Sequence, residues 1–272
     1  MTITTTAALD ELKARQQKTW SSGDYGKIAW ITAPLADVLC DAAEVRSGAD
    51  VLDVATGTGH VGLAAARRFC NATGIDYVPA LLDVARRRAE AEELAVDFRE
   101  GDAEHLPCAG ESYDFVLSAI GVMFTANHGQ AASELVRTCK SGGVVGMVNW
   151  TPDGFVGEML KAVGRHVPPP PGATPPPLWG TEDYVRELLG AHTTEIAFET
   201  QAITERFPSS AFFADFFLAN YGPTLKASES LEGTARAEFR DDLVALADRF
   251  NRASNGTFVA DWEYLIAVAA RR

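Results

Sequence analysis

The chain has 272 residues, 47% of them hydrophobic, which is enough to bury one large core with a cap over it. Its formal net charge of −13 and pI near 4.8 would repel a polyphosphate backbone, whose binding depends on clustered Lys and Arg, so nucleic-acid partners are excluded. No stretch approaches the roughly 18 apolar residues that a membrane span needs, and the start Met1-Thr2-Ile3-Thr4 has neither a basic nor a long apolar region, so the expectation is a chain without a membrane partner.

Residues 8–24 carry a polar helical pattern ending at Gly23-Asp24, and a second helix is expected from Pro34 to Glu44 with proline in its first turn. Then comes the most informative stretch, Val51-Leu52-Asp53-Val54-Ala55-Thr56-Gly57-Thr58-Gly59-His60. A β-branched strand runs into a glycine turn and a helix, leaving backbone N–H groups uncovered for a ligand. Strands at 51–55, 72–76, 95–99, 113–119 and 143–150 alternate with helices at 60–69, 79–92 and 129–139. That alternation predicts an α/β fold, a doubly wound, mostly parallel sheet whose ligands bind beyond the strand ends. The basic run Arg86-Arg87-Arg88 shares its helix with Glu90, Glu92 and Glu93 and reads as a solvated face.

After Trp150 the character changes. Residues 168–177 hold seven of the 13 prolines and must be extended, a stiff connector expected over the pocket rim. Leu178-Trp179-Gly180-Thr181 then opens a helix over 182–189 with Thr181 as N-cap, followed by strands near 193–203 and 257–269. Between those strands, residues 208–253 read as helical, with Phe212, Phe213, Phe216, Phe217 and Tyr221 forming an aromatic face too wide for an isolated surface helix. The expected organisation is therefore N-terminal helices over 1–48, a core of 49–207 with 254–272, and a helical cap of 208–253 inserted before the last of seven strands.

The glycine turn satisfies a dinucleotide fingerprint, Gly57-x-Gly59-x-x-Gly62 with Asp76 beyond, but Asp53 inside the strand would repel a pyrophosphate and suits a cationic ligand. With Gly74-Ile75-Asp76-Tyr77, Gly101-Asp102-Ala103-Glu104-His105-Leu106-Pro107, Tyr113-Asp114-Phe115-Val116-Leu117-Ser118-Ala119 and Cys139-Lys140-Ser141-Gly142-Gly143-Val144 following in order, the chain resembles the Rossmann-like S-adenosylmethionine-dependent methyltransferases. Gly121-Val122-Met123-Phe124, Asn149-Trp150-Thr151-Pro152 and Phe250-Asn251-Arg252 resemble a bacterial subfamily related to the ubiquinone/menaquinone-biosynthesis enzymes. The family's first turn glycine is Ala55 here, tolerable where φ stays negative.

The resemblance implies S-adenosylmethionine as cofactor and S-adenosylhomocysteine as product. It implies that Asp76 takes the ribose hydroxyls, Asp102 and the Ala103 N–H the adenine, Tyr77 and Leu81 the faces of the adenosine, and Asp53, Ala55, Thr56, Gly57 and Gly59 the methionine end, with Ser118 at the fourth strand's end beside them. Trp20, Tyr25 and Ile28 are candidates for closing the site; Phe124, Trp150, Trp179, Phe216 and Tyr221 are candidates for the acceptor pocket. If the nucleophile must lose a proton, the candidate bases are His60, His128, His166, Tyr25 and Tyr221.

Cys40, Cys70, Cys108 and Cys139 form no C-x-x-C pair, which points to a reduced, cytoplasmic setting with no metal or redox motif. The absence of an Asn-Pro-Pro-Tyr segment disfavours the amino-group methyltransferases that use it. The expected function is methyl transfer by in-line displacement to a small apolar or aromatic metabolite, at carbon, nitrogen or oxygen, by a monomer or homodimer. The alternative is a protein on the same fold that keeps the donor as a structural or regulatory ligand.

Overall fold

The computed structural model describes residues 6–170 and 173–272. The readings placed on Met1–Thr4 and on residues 171–172 lie outside them. Two helices, α1 (Thr6–Trp20) and α2 (Tyr25–Ala42), precede a core in which β1 (Asp50–Val54), α3 (His60–Arg67), β2 (Asn71–Asp76), α4 (Pro79–Ala91), β3 (Val96–Glu100), β4 (Tyr113–Ala119), α5 (His128–Thr138) and β5 (Cys139–Trp150) follow in turn. Next come α6 (Phe155–His166), α7 (Glu182–Leu189) and β6 (Thr193–Phe207), then α8 (Ser210–Asn220), α9 (Gly222–Ser230), α10 (Thr234–Phe250) and β7 (Phe258–Arg271). The seven strands form one sheet in the order β3-β2-β1-β4-β5-β7-β6, in which β7 pairs antiparallel with both neighbours and the other pairs are parallel. Chain order reverses between β1 and β4, and the crevice of such a sheet opens there.

Val51, Leu52 and Val54 of β1 are completely buried, as expected of a central parallel strand covered on both faces. Three local features depart from the sequence expectations. Helix α2 begins at Tyr25, with the Asp24 carboxylate accepting from the Gly26 N–H, and Pro34 lies inside it. Pro34 and Trp30 are both exposed, so water can satisfy the Trp30 carbonyl that proline leaves without a donor. The segment after Trp150 contains α6, whose buried Phe155, Val156, Met159 and Ala162 follow helical spacing. Thr181 does occupy the N-cap of α7, but its hydroxyl donates to the Leu178 carbonyl instead of capping.

The glycine turn differs most. Ala55 sits at φ +54°, with Gly57 at +52° and Gly59 at +88°, so the expected negative φ at Ala55 is wrong. The chain leaves β1 through a left-handed residue, and the alanine is tolerated because Gly121 faces it bare. A Cβ on Gly121 would come within 2.7 Å of the Ala55 carbonyl oxygen and 2.9 Å of its methyl.

A left-handed conformation costs an L-residue roughly 1–2 kcal/mol, and the glycine that relieves it loses about 0.5–1 kcal/mol in the unfolded chain. Ala55→Gly is therefore expected to leave the fold intact and raise unfolding free energy by up to about 1 kcal/mol. Denaturant titration checks this, and a clear loss would show that the methyl contributes more by packing than it costs in strain.

Candidate active-site cleft

The ends of β1, β2, β4 and β5 face a cleft roofed by α1 and α2 and closed at its far side by α6 and α8, enclosing about 1230 Å³ including its mouth. Its near end is polar. Asp76, at the end of β2, is buried, and its Oδ2 accepts from the Gly57 N–H at 2.8 Å while Oδ1 accepts from the Val78 N–H at 2.9 Å. Burial pushes this carboxyl up to about 6, against the three backbone N–H groups that pull it down. Each oxygen keeps a lone pair for a ligand.

Asp102 accepts from the Glu104 N–H and pairs with Lys13 Nζ at 2.6 Å. Burial raises its carboxyl, but Lys13 and the Glu104 N–H outweigh it and hold the group below the ordinary range. Lys13 also pairs with the buried Glu104 at 2.7 Å, while Gln17 donates to the Tyr77 carbonyl and Gln16 to the Phe124 carbonyl, so α1 is fastened across this end.

The far end is apolar: Trp150, Val156, Met159, Phe217, Tyr221 and Trp262 line it. Trp150 and Trp262 meet edge to face with centroids 6.0 Å apart, and Phe217 stands 5.7 Å from Trp262. Trp20, Tyr25, Phe124 and Tyr221 form the middle, Trp20 lying 4.6 Å from Phe124 and 6.1 Å from Tyr221.

Of the residues read from sequence, the cleft gathers Ala55, Thr56, Gly57, Asp76, Tyr77, Leu81, Asp102 and Ala103, as well as Trp20, Tyr25, Ile28, Phe124, Trp150 and Tyr221. Others stand behind its wall. Asp53 is buried beneath the turn, accepting from Thr56 Oγ1 at 2.5 Å and the Gly62 N–H at 2.8 Å. Burial pushes its carboxyl up to about 7 despite those bonds. Ser118 donates to the Val54 carbonyl and accepts from the Val122 N–H, so its hydroxyl is used in fastening strand ends. Gly59 is bare for packing, since a Cβ there would meet the Phe98 ring at 2.9 Å and Ala85 at 3.0 Å.

Two acceptor-pocket candidates are misplaced. Trp179 is buried against His128 and Tyr184, and Phe216 stacks with Phe212 and leans on Phe207; neither lines the cleft. Among the described residues of the proline connector, 168–170 and 173–177, none lines the cleft expected beneath it; the turn that follows packs on Trp150, whose carbonyl oxygen would collide with a Cβ placed on Gly180.

The candidate bases fare similarly. His128 Nδ1 shares a 3.0 Å hydrogen bond with the Tyr184 hydroxyl and is pushed down to about 4 by burial, and His166 pairs with Asp242, both outside the cleft. Tyr25 and Tyr221 face the cleft, but burial raises both phenols above the ordinary tyrosine value, so they stay protonated. The Tyr25 hydroxyl accepts from the Gly222 N–H, which leaves its proton free. His60 is the histidine that lines the cleft, and burial with the Arg88 and Arg67 charges pushes it down to about 3.

Sequence reasoning missed Lys13, Val156, Met159 and Trp262. The helical spacing of Phe155, Val156 and Met159 was a usable signal for two of them, but nothing local marks Lys13 or Trp262.

The polar end fits a nucleoside carrying a cationic side chain. A Cβ on Gly57 would meet nothing within 4 Å, so the turn leaves its backbone open, beside a carboxylate with spare acceptor sites and the apolar Leu81. A family model described as a methyltransferase domain matches residues 51–143. An uncharacterized protein of Mycobacterium tuberculosis is 39% identical over 278 residues, covering 100% of both chains. The demethylmenaquinone methyltransferase of Thermus thermophilus is 30% identical over 186 residues, 67% of this chain and 82% of that one. Among solved structures, a putative methyltransferase from Bacillus halodurans superposes with a TM-score of 0.61 at 21% identity, over 86% of this chain and 97% of that one. Sheet, turn and relatives agree: the chain belongs to the Rossmann-like, class I methyltransferases and is an enzyme that uses S-adenosylmethionine.

Proposed function

We propose that this enzyme transfers the methyl group of S-adenosylmethionine to a small apolar or aromatic metabolite by in-line displacement. The observation that carries this reading is the division of one cleft into a carboxylate-lined end at the glycine turn and an uncharged wall of Trp150, Val156, Met159, Phe217, Tyr221 and Trp262 opposite. Small ligands are held chiefly by such apolar walls with a few placed polar groups. The Thermus relative is named for demethylmenaquinone as its acceptor, which agrees with an apolar far end.

At the polar end, Asp76 would accept from the ribose hydroxyls and Asp102 from the adenine amino group, with the Ala103 N–H donating to a ring nitrogen and Tyr77 and Leu81 flanking the adenosine. The bound donor supplies a methyl group already activated on a sulfonium. What remains for the protein is to hold the nucleophile in line, which is worth several kcal/mol by itself. The protonated Tyr25 and Tyr221 hydroxyls orient the acceptor as hydrogen-bond donors, and the aromatic walls exclude water from it. Formation of S-adenosylhomocysteine with any member of a panel of phenols, hydroquinones and apolar amines supports the reading; no product with the whole panel, from protein that binds the donor, counts against it.

The carboxylates give a test without the acceptor. Asp76→Ala and Asp102→Ala should each weaken S-adenosylhomocysteine binding about tenfold or more, as expected for losing a charged hydrogen-bond acceptor worth roughly 1.5–3 kcal/mol. The sign of the pH effect follows. Ribose hydroxyls donate to the ionised form, so affinity should fall as pH drops through about 6, where Asp76 takes up its proton in the free protein. Calorimetry from pH 5 to 8 reads this, and a flat profile in the parent would remove Asp76 from the ribose site.

The far wall makes the complementary prediction. Met159→Ala and Tyr221→Phe should lower kcat/KM for the acceptor, the first by about tenfold because the shortened side chain covers less of the acceptor's apolar surface, while the Kd for S-adenosylhomocysteine stays within a few-fold. Equal losses in both quantities, from variants that melt like the parent, would make this wall part of the donor site.

A further inference from the structure

The wall between the glycine turn and α2 carries a network that the donor contacts above leave unused. Arg88 does not lie on the solvated face expected of it but reaches beneath the turn. Its Nη1 donates to the Thr58 carbonyl at 2.6 Å and lies 3.3 Å from Thr58 Oγ1 and 3.1 Å from His60 Nδ1. A guanidinium only donates, so His60 Nδ1 is the acceptor and the neutral ring carries its proton on Nε2. His60 is therefore no base. Its Nε2–H points between Thr32 Oγ1 and Thr58 Oγ1, each 3.3 Å away.

Both threonine oxygens act as acceptors toward His60, so both hydroxyl protons are left over, and among the described residues neither hydroxyl donates to any other group. Thr32, Thr58 and His60 all line the cleft. Behind them stands a half-buried cation with no ion-pair partner among the described residues; Glu92, the acid that acts on it, is itself forked by Arg67. Two free O–H donors backed by an uncompensated guanidinium make a receptor for an anion. The carboxylates at the cleft's other polar positions, Asp76, Asp102 and Glu104, would repel one.

We propose that the Thr32 and Thr58 hydroxyls receive the α-carboxylate of the methyl donor, and that Arg88 is a positioning residue, fixing His60 as the Nε2–H tautomer and supplying the positive field behind the two hydroxyls. The inference rests on the donor reading of this cleft. The carboxylate is the donor's and not the acceptor's because Thr58 belongs to the turn that holds the donor, on the opposite side from the apolar wall.

Three probes separate the possibilities by calorimetry: S-adenosylhomocysteine, the same molecule without its carboxylate, and 5′-methylthioadenosine, which lacks the amino-acid end. Arg88→Met and Thr32→Val should each weaken S-adenosylhomocysteine, Arg88→Met by about tenfold, the scale of a charge-assisted hydrogen bond, and leave the other two probes within a few-fold of the parent. Arg88→Lys should recover part of the loss. A variant that only disturbed the turn would weaken all three probes alike, and that result overturns the proposal, as does an unchanged affinity for S-adenosylhomocysteine in both variants. Thr32→Val keeps the shape of its side chain and carries the test if Arg88→Met does not fold. Failure of the parent to bind any of the three probes would instead overturn the donor reading itself.

Discussion

A carboxylate that water cannot reach holds the site together. Burying an unpaired Asp53 would cost several kcal/mol. It persists because the Thr56 hydroxyl, the Gly62 N–H and the positive end of α3 all converge on it. Those bonds draw the turn back against β1 and force the chain through left-handed positions at residues 55, 57 and 59. The turn then presents the Gly57 N–H to Asp76, which ties the end of β1 to the end of β2. Asp53 thus shapes the surface of the turn from behind, without lining the cleft itself.

Around that turn the cleft separates two kinds of recognition. At the polar end the two carboxylates are tuned in opposite directions: burial pushes Asp76 up to about 6 against the backbone N–H groups that favour its charge, while Lys13 and the Glu104 N–H hold Asp102 below the ordinary range despite burial. The apolar end uses aromatic rings from β5, β7 and the α8–α9 corner, brought together only because β7 inserts between β5 and β6. Phe213 and Phe217 show both roles of α8: Phe213 is core against Phe155 and Phe258, while Phe217, one turn on, reaches the cleft.

The N-terminal helices complete the enclosure by polar fastening as much as by packing. Lys13 bridges two acids of the loop after β3, and the two glutamines of α1 donate to backbone carbonyls on either side of the crevice. Exposed ion pairs contribute little, but here Glu104 is buried and Lys13 largely shielded, so their separation would leave a charge in a poor environment. The roof is therefore held at the same loop that would read the adenine.

How much of this the sequence determined depends on the range of the interaction. The β1–turn–α3 unit, the alternation of strands and helices and the acidic residues at strand ends were legible, because each rests on neighbours within a few positions and on a periodicity that the chain displays directly. The backbone sign at Ala55 was not, since it depends on Gly121 leaving room from beyond another strand. Nor did the aromatic pattern of residues 208–253 say which rings would reach the cleft; spacing reports burial but not the neighbour, so Phe216 and Trp179 went to other contacts while Met159 and Trp262 took the wall. Arg88 makes the same point with charge. Among acids on one helix it reads as solvated, and only the packing of α4 against the glycine turn sends it inward to His60, because a long side chain takes its partners from the fold and not from the sequence around it.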